Sequence, residues 1–249
     1  MIRRRLIADG DTVCRGPSEG GLVFLTFDDG PDPRFTPLIL DILARASAYA
    51  TFFVVGEDAV RFPSLVRRIA DEGHEVGNHT WSHRHPWAIS SGVARQEVSF
   101  GSAALADVLG RSPRYFRPPH GRLRRCMMDQ ARELGQTVVM WSLSAVDWGP
   151  WGGAARIARR LRAVQGGDIV LLHDAWRGYN RPWETVRVLA GFLSDLHYQN
   201  LNLSLFEKAA VRAEKAAKIA EGNATRAEEM AKKCEDIFER ITAKRELRK

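Results

Sequence analysis

Two short segments of this 249-residue chain carry carboxylates and imidazoles at spacings that suit metal-assisted hydrolysis. Asp28 and Asp29 end an apolar run that begins at Leu22, and His79 and His83 lie four residues apart in the second segment. Catalytic zinc sites use three protein ligands and keep one position open for water or substrate. One aspartate and both histidines could therefore hold a metal, with the second aspartate as a general base beside it.

The local backbone conformation determines the direction in which each of these side chains points. Adjacent side chains of an extended chain point to opposite sides. We therefore expect one of the two aspartates to bind the metal while its neighbour faces a substrate. His79 and His83 would share one face if their segment formed a helical turn.

Hydrophobic patterning predicts that strands and helices alternate along the chain. Apolar, β-prone runs occur at residues 22–27, 50–56, 74–79, 115–117, 137–141, 168–173 and 201–205. Helical spacing occurs at residues 36–46, 63–72, 91–109, 124–134, 153–164 and 182–197. Such alternation is typical of an α/β fold with a parallel sheet.

Residues able to do chemistry recur where the predicted strands end, namely Asp28, His79, Arg117, Asp147 and His173. The carboxyl ends of strands in a (β/α) barrel meet at one face, and such enzymes place their active sites there. The sequence therefore predicts a distorted (β/α) barrel with about seven parallel strands over residues 20–206. An irregular arm at residues 1–19 precedes it.

The C-terminal segment, residues 207–249, has a different pattern. Glutamates recur every seven residues beside two narrow, mostly alanine seams that run three residues apart. This heptad spacing predicts a helical, coiled-coil-like extension, which Gly222 and Asn223 could divide into a hairpin. The extension could self-associate, bind a partner helix or pack on the barrel.

The composition indicates which kinds of binding partner to expect. The formal net charge is +7, but the basic residues are spread out and form no nucleic-acid motif, so we expect no nucleic-acid partner. No apolar stretch approaches the length of a membrane span. The basic start of the chain lacks the apolar part of a signal peptide, and its three cysteines are scattered. These features predict a cytoplasmic protein with reduced thiols.

Five ordered segments resemble carbohydrate esterase family 4, the polysaccharide deacetylases that include nodulation-type chitooligosaccharide deacetylases. The resemblance covers about residues 22–206. The segments are Thr26–Gly30, His79–His83, Arg117–Gly121, Asp147–Trp148 and Leu171–Asp174.

The resemblance implies a metal-dependent N-deacetylase. Asp29, His79 and His83 would hold a divalent metal, zinc above all, with cobalt or nickel as alternatives. Asp28 would act as the general base on a water molecule, and His173 would protonate the leaving amine.

The remaining roles also follow from the resemblance. Arg117 is expected to pair with Asp28 and keep it ionised, and Asp147 to pair with His173 and keep it protonated. Pro119 and His120 are expected at the substrate, with the backbone N–H near His120 facing the oxyanion. Trp148 and Leu171 would form the apolar pocket for the acetyl methyl group.

Two positions depart from the family pattern. His120 stands where the family commonly has tyrosine or a similar aromatic residue, which could change the groove and add a titrating group. Ser144 stands where an acidic residue is often found, which puts substrate contacts there in doubt.

The expected activity is removal of N-acetyl groups from N-acetylglucosamine units of an oligo- or polysaccharide, with a chitooligosaccharide as one candidate. An alternative within the same fold is hydrolysis of a non-sugar amide such as a cyclic ureide. A third possibility is a scaffold whose residues 207–249 recruit a partner while catalysis is idle.

Overall fold

The computed structural model of the chain describes residues 12–18 and 21–198. The predicted strand at 201–205 and the predicted helical extension at 207–249 lie outside the described residues. So do the first eleven residues of the predicted arm.

The described part of the chain contains eight short strands and seven α-helices. The strands are β1 (Thr12–Val13), β2 (Phe24–Asp28), β3 (Ala50–Val54), β4 (Glu75–Asn78), β5 (Tyr115–Phe116), β6 (Thr137–Val139), β7 (Leu143–Ser144) and β8 (Ile169–His173). The helices are α1 (Thr36–Arg45), α2 (Gly56–Arg61), α3 (Pro63–Asp71), α4 (Ser91–Leu109), α5 (Arg125–Glu133), α6 (Ala154–Leu161) and α7 (Pro182–Tyr198). None of these helices is both long and apolar enough to cross a bilayer.

The strands form one parallel, curled sheet in the order β1-β6-β5-β4-β3-β2-β8-β7. A bridge between Arg15 and Asp168 joins the chain just past β1 to the start of β8, and their side chains form an ion pair at 3.1 Å. The predicted distorted (β/α) barrel is confirmed, with eight strands in the described residues. β1 and β7 have two residues each and were not predicted, whereas the equally short β5 was, because both of its residues are aromatic and β-prone.

The central strands explain why the apolar runs were easy to recognise. Every residue of β2, β3 and β8 is buried. Strands that are buried on both faces read as continuous apolar runs. Phe27 of β2 and Phe52 of β3 stack at 5.1 Å between ring centroids in this core. All six predicted helices within the described residues are present, and α2 is an additional short one.

The strand register brings distant residues to one end of the sheet. Asp28, the last residue of β2, lies in register with His173, the last residue of β8. On the other side of β2, the end of β4 at Asn78 lies beside Phe116 of β5. His79 and Arg117 directly follow these two residues, so the chemistry-bearing positions gather at the carboxyl ends of neighbouring strands.

Candidate metal centre and catalytic site

Asp28 is paired with a buried arginine. Nη1 of Arg117 lies 2.7 Å from Asp28 Oδ1 and also donates to Thr26 Oγ1. The guanidinium donates further hydrogen bonds to the carbonyl oxygens of Val139 and Met140, at 3.0 Å and 2.8 Å. Arg117 is 0% exposed, and all three of its nitrogens have partners, so it is a fixed positive charge against Asp28.

Asp29, His79 and His83 form a compact donor cluster. Oδ1 of Asp29 lies 3.3 Å from Nε2 of His79 and 2.8 Å from Nε2 of His83. Ligand atoms from all three residues lie within 4.8 Å of one another. Oδ2 of Asp28 lies 3.8 Å from the same nitrogen of His79, so the second carboxylate borders the cluster.

Several residues of this cluster have a left-handed backbone conformation. Two predictions about the local backbone were therefore wrong. Asp29 has φ 77° and is not extended, so both aspartates approach His79 instead of pointing to opposite sides. Thr80 and His83 have φ 69° and 57°, so the two histidines converge through an irregular turn and not a helical one. Non-glycine residues in this region are strained by about 1 kcal/mol or more, and such strain clusters at functional sites.

Hydrogen bonding and burial prepare the cluster to bind a cation. Nδ1 of His79 lies 2.7 Å from the carbonyl oxygen of Arg117. A carbonyl only accepts, so Nδ1 must carry a proton, which leaves Nε2 as the atom available to a metal. Burial lowers the pKa of His83 despite the opposing charge of Asp29, which favours a neutral ring.

Asp29 itself is left without a hydrogen-bond donor on one oxygen. Burial would raise its pKa, but His83 and His79 hold that pKa well below its usual range, so the carboxylate is ionised. Its Oδ1 is buried and has no hydrogen-bond partner among the described residues. The three residues bring one carboxylate oxygen and two imidazole nitrogens close together, so they fit a divalent metal ion.

Asn180 holds the other oxygen of Asp29, a contact that the sequence did not reveal. Its Nδ2 donates a hydrogen bond to Asp29 Oδ2. An antiparallel bridge pairs Asn180 with Trp148. The amide of Gly149 donates to the carbonyl of Tyr179, and that of Arg181 to the carbonyl of Asp147, both at 2.8 Å. This pairing connects the metal centre to the segment that carries Asp147 and Trp148.

His173 is held by Asp147 on the opposite side of the site. Nδ1 of His173 lies 2.7 Å from Asp147 Oδ1, and the other carboxylate oxygen accepts from the His173 backbone amide at 2.8 Å and from Thr185 Oγ1 at 2.6 Å. Burial would lower the pKa of His173. The charge and hydrogen bond of Asp147, with smaller effects of Asp29 and Asp28, instead raise it to about 9.

The chain reaches Asp147 through a strained residue. Val146 has φ 51°, which is unusual for a β-branched side chain. Its amide donates to Ser144 Oγ at 3.2 Å, so the serine that departs from the family pattern supports this turn.

A cavity of about 390 Å³ opens onto these groups. Its predicted lining residues are Asp28, Asp29, His79, His83, His120, Trp148, Leu171 and His173. The ring of Trp148 meets His173 edge-on at 5.4 Å, and Leu171 is almost fully buried beside them. Of the other predicted residues, Arg117, Pro119 and Asp147 are buried and are not among the lining residues.

Several further lining residues were not predicted as site residues, namely Gly121, Trp141, Arg177, Gly178 and Asn180. Trp141 follows β6, so the rule that strand ends carry function could have found it. Arg177, Gly178 and Asn180 lie in the irregular loop between β8 and α7 and carry no comparable signal. Tyr179 of the same loop also lines the cavity, and an exposed aromatic residue there can stack on a sugar ring.

His120 stands at the rim beside two other histidines. Its ring contacts His83 edge-on at 4.7 Å and stacks on His85 at 5.0 Å. Burial, together with the charges that these neighbours would carry, lowers the pKa of His120 to about 4. The ring is therefore neutral near pH 7. His120 has φ 55° within the turn Pro119–Gly121.

Comparison with known proteins identifies the relatives of this chain. The family model described as polysaccharide deacetylase matches residues 15–139. A peptidoglycan-N-acetylglucosamine deacetylase of Bacillus cereus is 35% identical over 201 residues, which cover 80% of this chain and 92% of that protein. A chitooligosaccharide deacetylase of Sinorhizobium fredii is 39% identical over 164 residues, which cover 66% of this chain and 76% of that protein.

A solved structure gives the same relationship in three dimensions. The crystal structure of the Bc1960 peptidoglycan N-acetylglucosamine deacetylase, bound to a hydroxamate-type benzamide, superimposes with a TM-score of 0.74. The match has 32% identity and covers 80% of this chain and 92% of that one.

Proposed function

Since the chain belongs to the polysaccharide deacetylase family, carbohydrate esterase family 4, we propose that it is a metal-dependent N-deacetylase of glycans that contain N-acetylglucosamine. The observation that carries the proposal is the placement of two groups with oppositely charged partners in one cavity. Asp28 is paired with a fixed cation, His173 with a buried anion, and the Asp29–His79–His83 cluster also borders the cavity.

The metal would be held by Asp29, His79 and His83, and zinc suits this mixed set of nitrogen and oxygen donors. When bound, it would supply Lewis acidity that polarises the acetamide carbonyl and acidifies a water molecule. His79 is oriented for this role by the Arg117 carbonyl, and Asp29 by Asn180.

Asp28 and His173 would carry the two proton transfers. Asp28, held by Arg117, would take a proton from water as the water oxygen bonds to the acetamide carbon. The carbon–nitrogen bond then breaks, and His173 donates its proton to the departing amine. The products are acetate and a free amino sugar. The pKa of His173 near 9 keeps this acid protonated at neutral pH.

The remaining cavity residues would recognise the acetyl group. The Leu171 side chain and the Trp148 ring offer an apolar surface for the methyl group. The backbone N–H of His120 would donate to the developing oxyanion, a role that does not depend on the imidazole. The neutral His120 ring would then shape the rim of the cavity.

Mass spectrometry of chitin oligomers incubated with the zinc-loaded protein tests the function. We expect successive losses of one acetyl group, equimolar acetate, and loss of activity after chelation that returns when zinc is added. A cyclic ureide serves as the comparison substrate for the alternative amidohydrolase. Ring opening of the ureide without acetate release from any oligomer would refute glycan deacetylation.

Two expectations stay predictions. Peptidoglycan, named for the Bacillus cereus relative, lies outside the cytoplasm, so the cytoplasmic location is one of them. Self-association or partner binding through residues 207–249 is the other. Deleting this segment and measuring both acetate release and oligomer size would separate assembly from catalysis.

A further inference from the structure

The turn from His79 to His83, which we call the metal turn, carries two of the three proposed metal ligands. The amide of His83 donates to Thr80 Oγ1 at 3.2 Å inside the turn. The turn belongs to no helix or strand, so its backbone lacks the repeated hydrogen bonds of regular structure. Contacts from neighbouring elements must therefore fix its shape.

Glu97 of α4 supplies such contacts at the middle of the metal turn. Its Oε2 accepts from the Ser82 amide at 2.8 Å, and its Oε1 accepts from Ser82 Oγ at 2.6 Å. The backbone carbonyl of Glu97 also accepts from the amide of Trp81, at 2.8 Å. Three hydrogen bonds to one residue thus hold the chain between the two histidines.

The Glu97 carboxyl group binds mainly Ser82. Arg84 Nε lies 3.9 Å from Glu97 Oε1, and the Arg84 side chain is 61% exposed. An ion pair that long, with so exposed a partner, contributes little. Glu97 itself is only 6% exposed. Burying a carboxyl group is costly unless its oxygens are hydrogen-bonded, and Ser82 provides a donor for each of them.

The helix that carries Glu97 is held against the turn at two further places. The Val98 carbonyl accepts from Asn78 Nδ2 at 2.9 Å, so the residue before His79 is bound to the same helix. Gly101 allows the close approach, because a Cβ at that position would lie 2.6 Å from the carbonyl carbon of Thr80. The 19-residue helix α4 therefore supports the metal turn along one side.

We propose that Glu97 is a positioning residue, which acts through Ser82 to keep His79 and His83 in the arrangement that binds the metal. This rests on the proposed function, which requires a metal at these ligands. Glu97 is not among the residues that line the catalytic cavity, so it would act on the reaction through the metal turn. A turn that is already held in the binding conformation loses less conformational freedom when the metal binds.

The test measures zinc binding separately from stability. The zinc Kd of the folded full chain is obtained by competition with a chromophoric chelator, and the free energy of unfolding of the metal-free protein by urea titration. Glu97→Ala and Ser82→Ala are the test variants. Glu97→Gln is the conservative one, because its amide can accept from the Ser82 amide and donate to Ser82 Oγ. Glu133→Ala is the matched control, since Glu133 pairs with Arg95 of α4 at 2.6 Å, away from the metal turn.

We expect Glu97→Ala to raise the zinc Kd by about 10- to 100-fold, as loss of a supporting contact around a metal ligand does. Ser82→Ala should raise it in the same direction, Glu97→Gln should recover most of the affinity, and Glu133→Ala should keep the wild-type Kd. A side chain that only stabilises the fold would lower the free energy of unfolding and leave the zinc Kd of the folded protein unchanged.

A wild-type zinc Kd in folded Glu97→Ala would therefore overturn the inference. If Glu97→Ala does not fold, an unchanged Kd in Ser82→Ala overturns it instead. The proposed function fails by a different result, which is wild-type protein that binds zinc but releases no acetate from a chitin oligomer.

Discussion

Replacing Asp147 by asparagine should move the alkaline limit of activity, because Asp147 makes the largest favourable contribution to the charged form of His173. Together with Asp29 and Asp28, it raises the pKa of His173 from 6.5 to about 9 against the effect of burial. A rise of this size corresponds to about 3 kcal/mol. Asparagine has nearly the same shape, so the change removes mainly the charge.

The size of the effect follows from the protonated fraction of His173. Near pH 8 the wild-type imidazole is about nine-tenths protonated if its pKa is about 9. Without Asp147, burial would bring the pKa to the ordinary value or below, which leaves at most about 3% protonated at pH 8. The variant should therefore lose about 30-fold or more in kcat/KM at pH 8, and the loss should shrink as the pH falls.

The assay is acetate release from a chitin tetramer from about pH 5 to about pH 10, with metal at saturation. Asp107→Asn on α4 is the control, because it makes the same charge change at an exposed position. An Asp147→Asn protein that keeps its fold and its zinc but shows the wild-type alkaline limb would refute the assignment of His173 as the acid set by Asp147.

The same pair predicts how stability depends on pH. A folded-state pKa above the unfolded value stabilises the protein fully below the unfolded value, and this stabilisation is lost as the pH rises through the folded value. His173 should thus contribute up to about 3 kcal/mol to unfolding free energy below pH 6.5 and little above about pH 9. Denaturant unfolding of wild type and Asp147→Asn should differ at pH 6 and converge at high pH.

Four further substitutions test the proposed metal centre and its supports. His79→Ala should abolish both turnover and stoichiometric zinc binding, whereas Asp28→Asn should abolish turnover but keep the zinc. Elemental analysis of the dialysed proteins measures the zinc content. Zinc retained at full occupancy by His79→Ala would refute the role of His79 as a ligand. Asn180→Ala should weaken zinc binding by about 10-fold or more, since supporting contacts of this kind have that effect; an unchanged dissociation constant in competition with a chelator contradicts this. Arg117→Met should lower the free energy of unfolding by about 3–5 kcal/mol, because it leaves Asp28 buried without its cation; a loss below about 1 kcal/mol would show that Asp28 finds another partner or water.

Much of the fold could be predicted because burial on both faces produces recognisable apolar runs. Strands β2, β3 and β8 are buried along their whole length, and a strand was predicted at each. The two-residue strands β1 and β7 could not be predicted in this way. They are strands only because neighbouring strands supply hydrogen bonds, as Thr12 and Val13 find in β6.

The site could be predicted where function follows strand ends, and not where it depends on loop conformation. Asp28 and His173 end neighbouring strands, so topology alone brings them together. The Asn180 side chain contacts Asp29 because its loop pairs with Trp148. No local sequence pattern predicts that pairing. The left-handed backbone of Asp29 was missed because aspartate adopts it only where the surrounding structure requires it.

The balance of buried charges supports the proposed metal site at Asp29. Asp28 is neutralised by Arg117, and Asp147 by the charged form of His173. Asp174, buried nearby, has a pKa raised to about 7 by burial despite a hydrogen bond from Thr36, so it can take up a proton near neutral pH. Asp29 remains ionised, and its Oδ1 has no hydrogen-bond partner among the described residues. Nε2 of His79 and Nε2 of His83 lie close to that oxygen. An ionised buried carboxylate needs a compensating cation, and a divalent ion bound here would supply that charge at the point where an acetamide would have to be polarised.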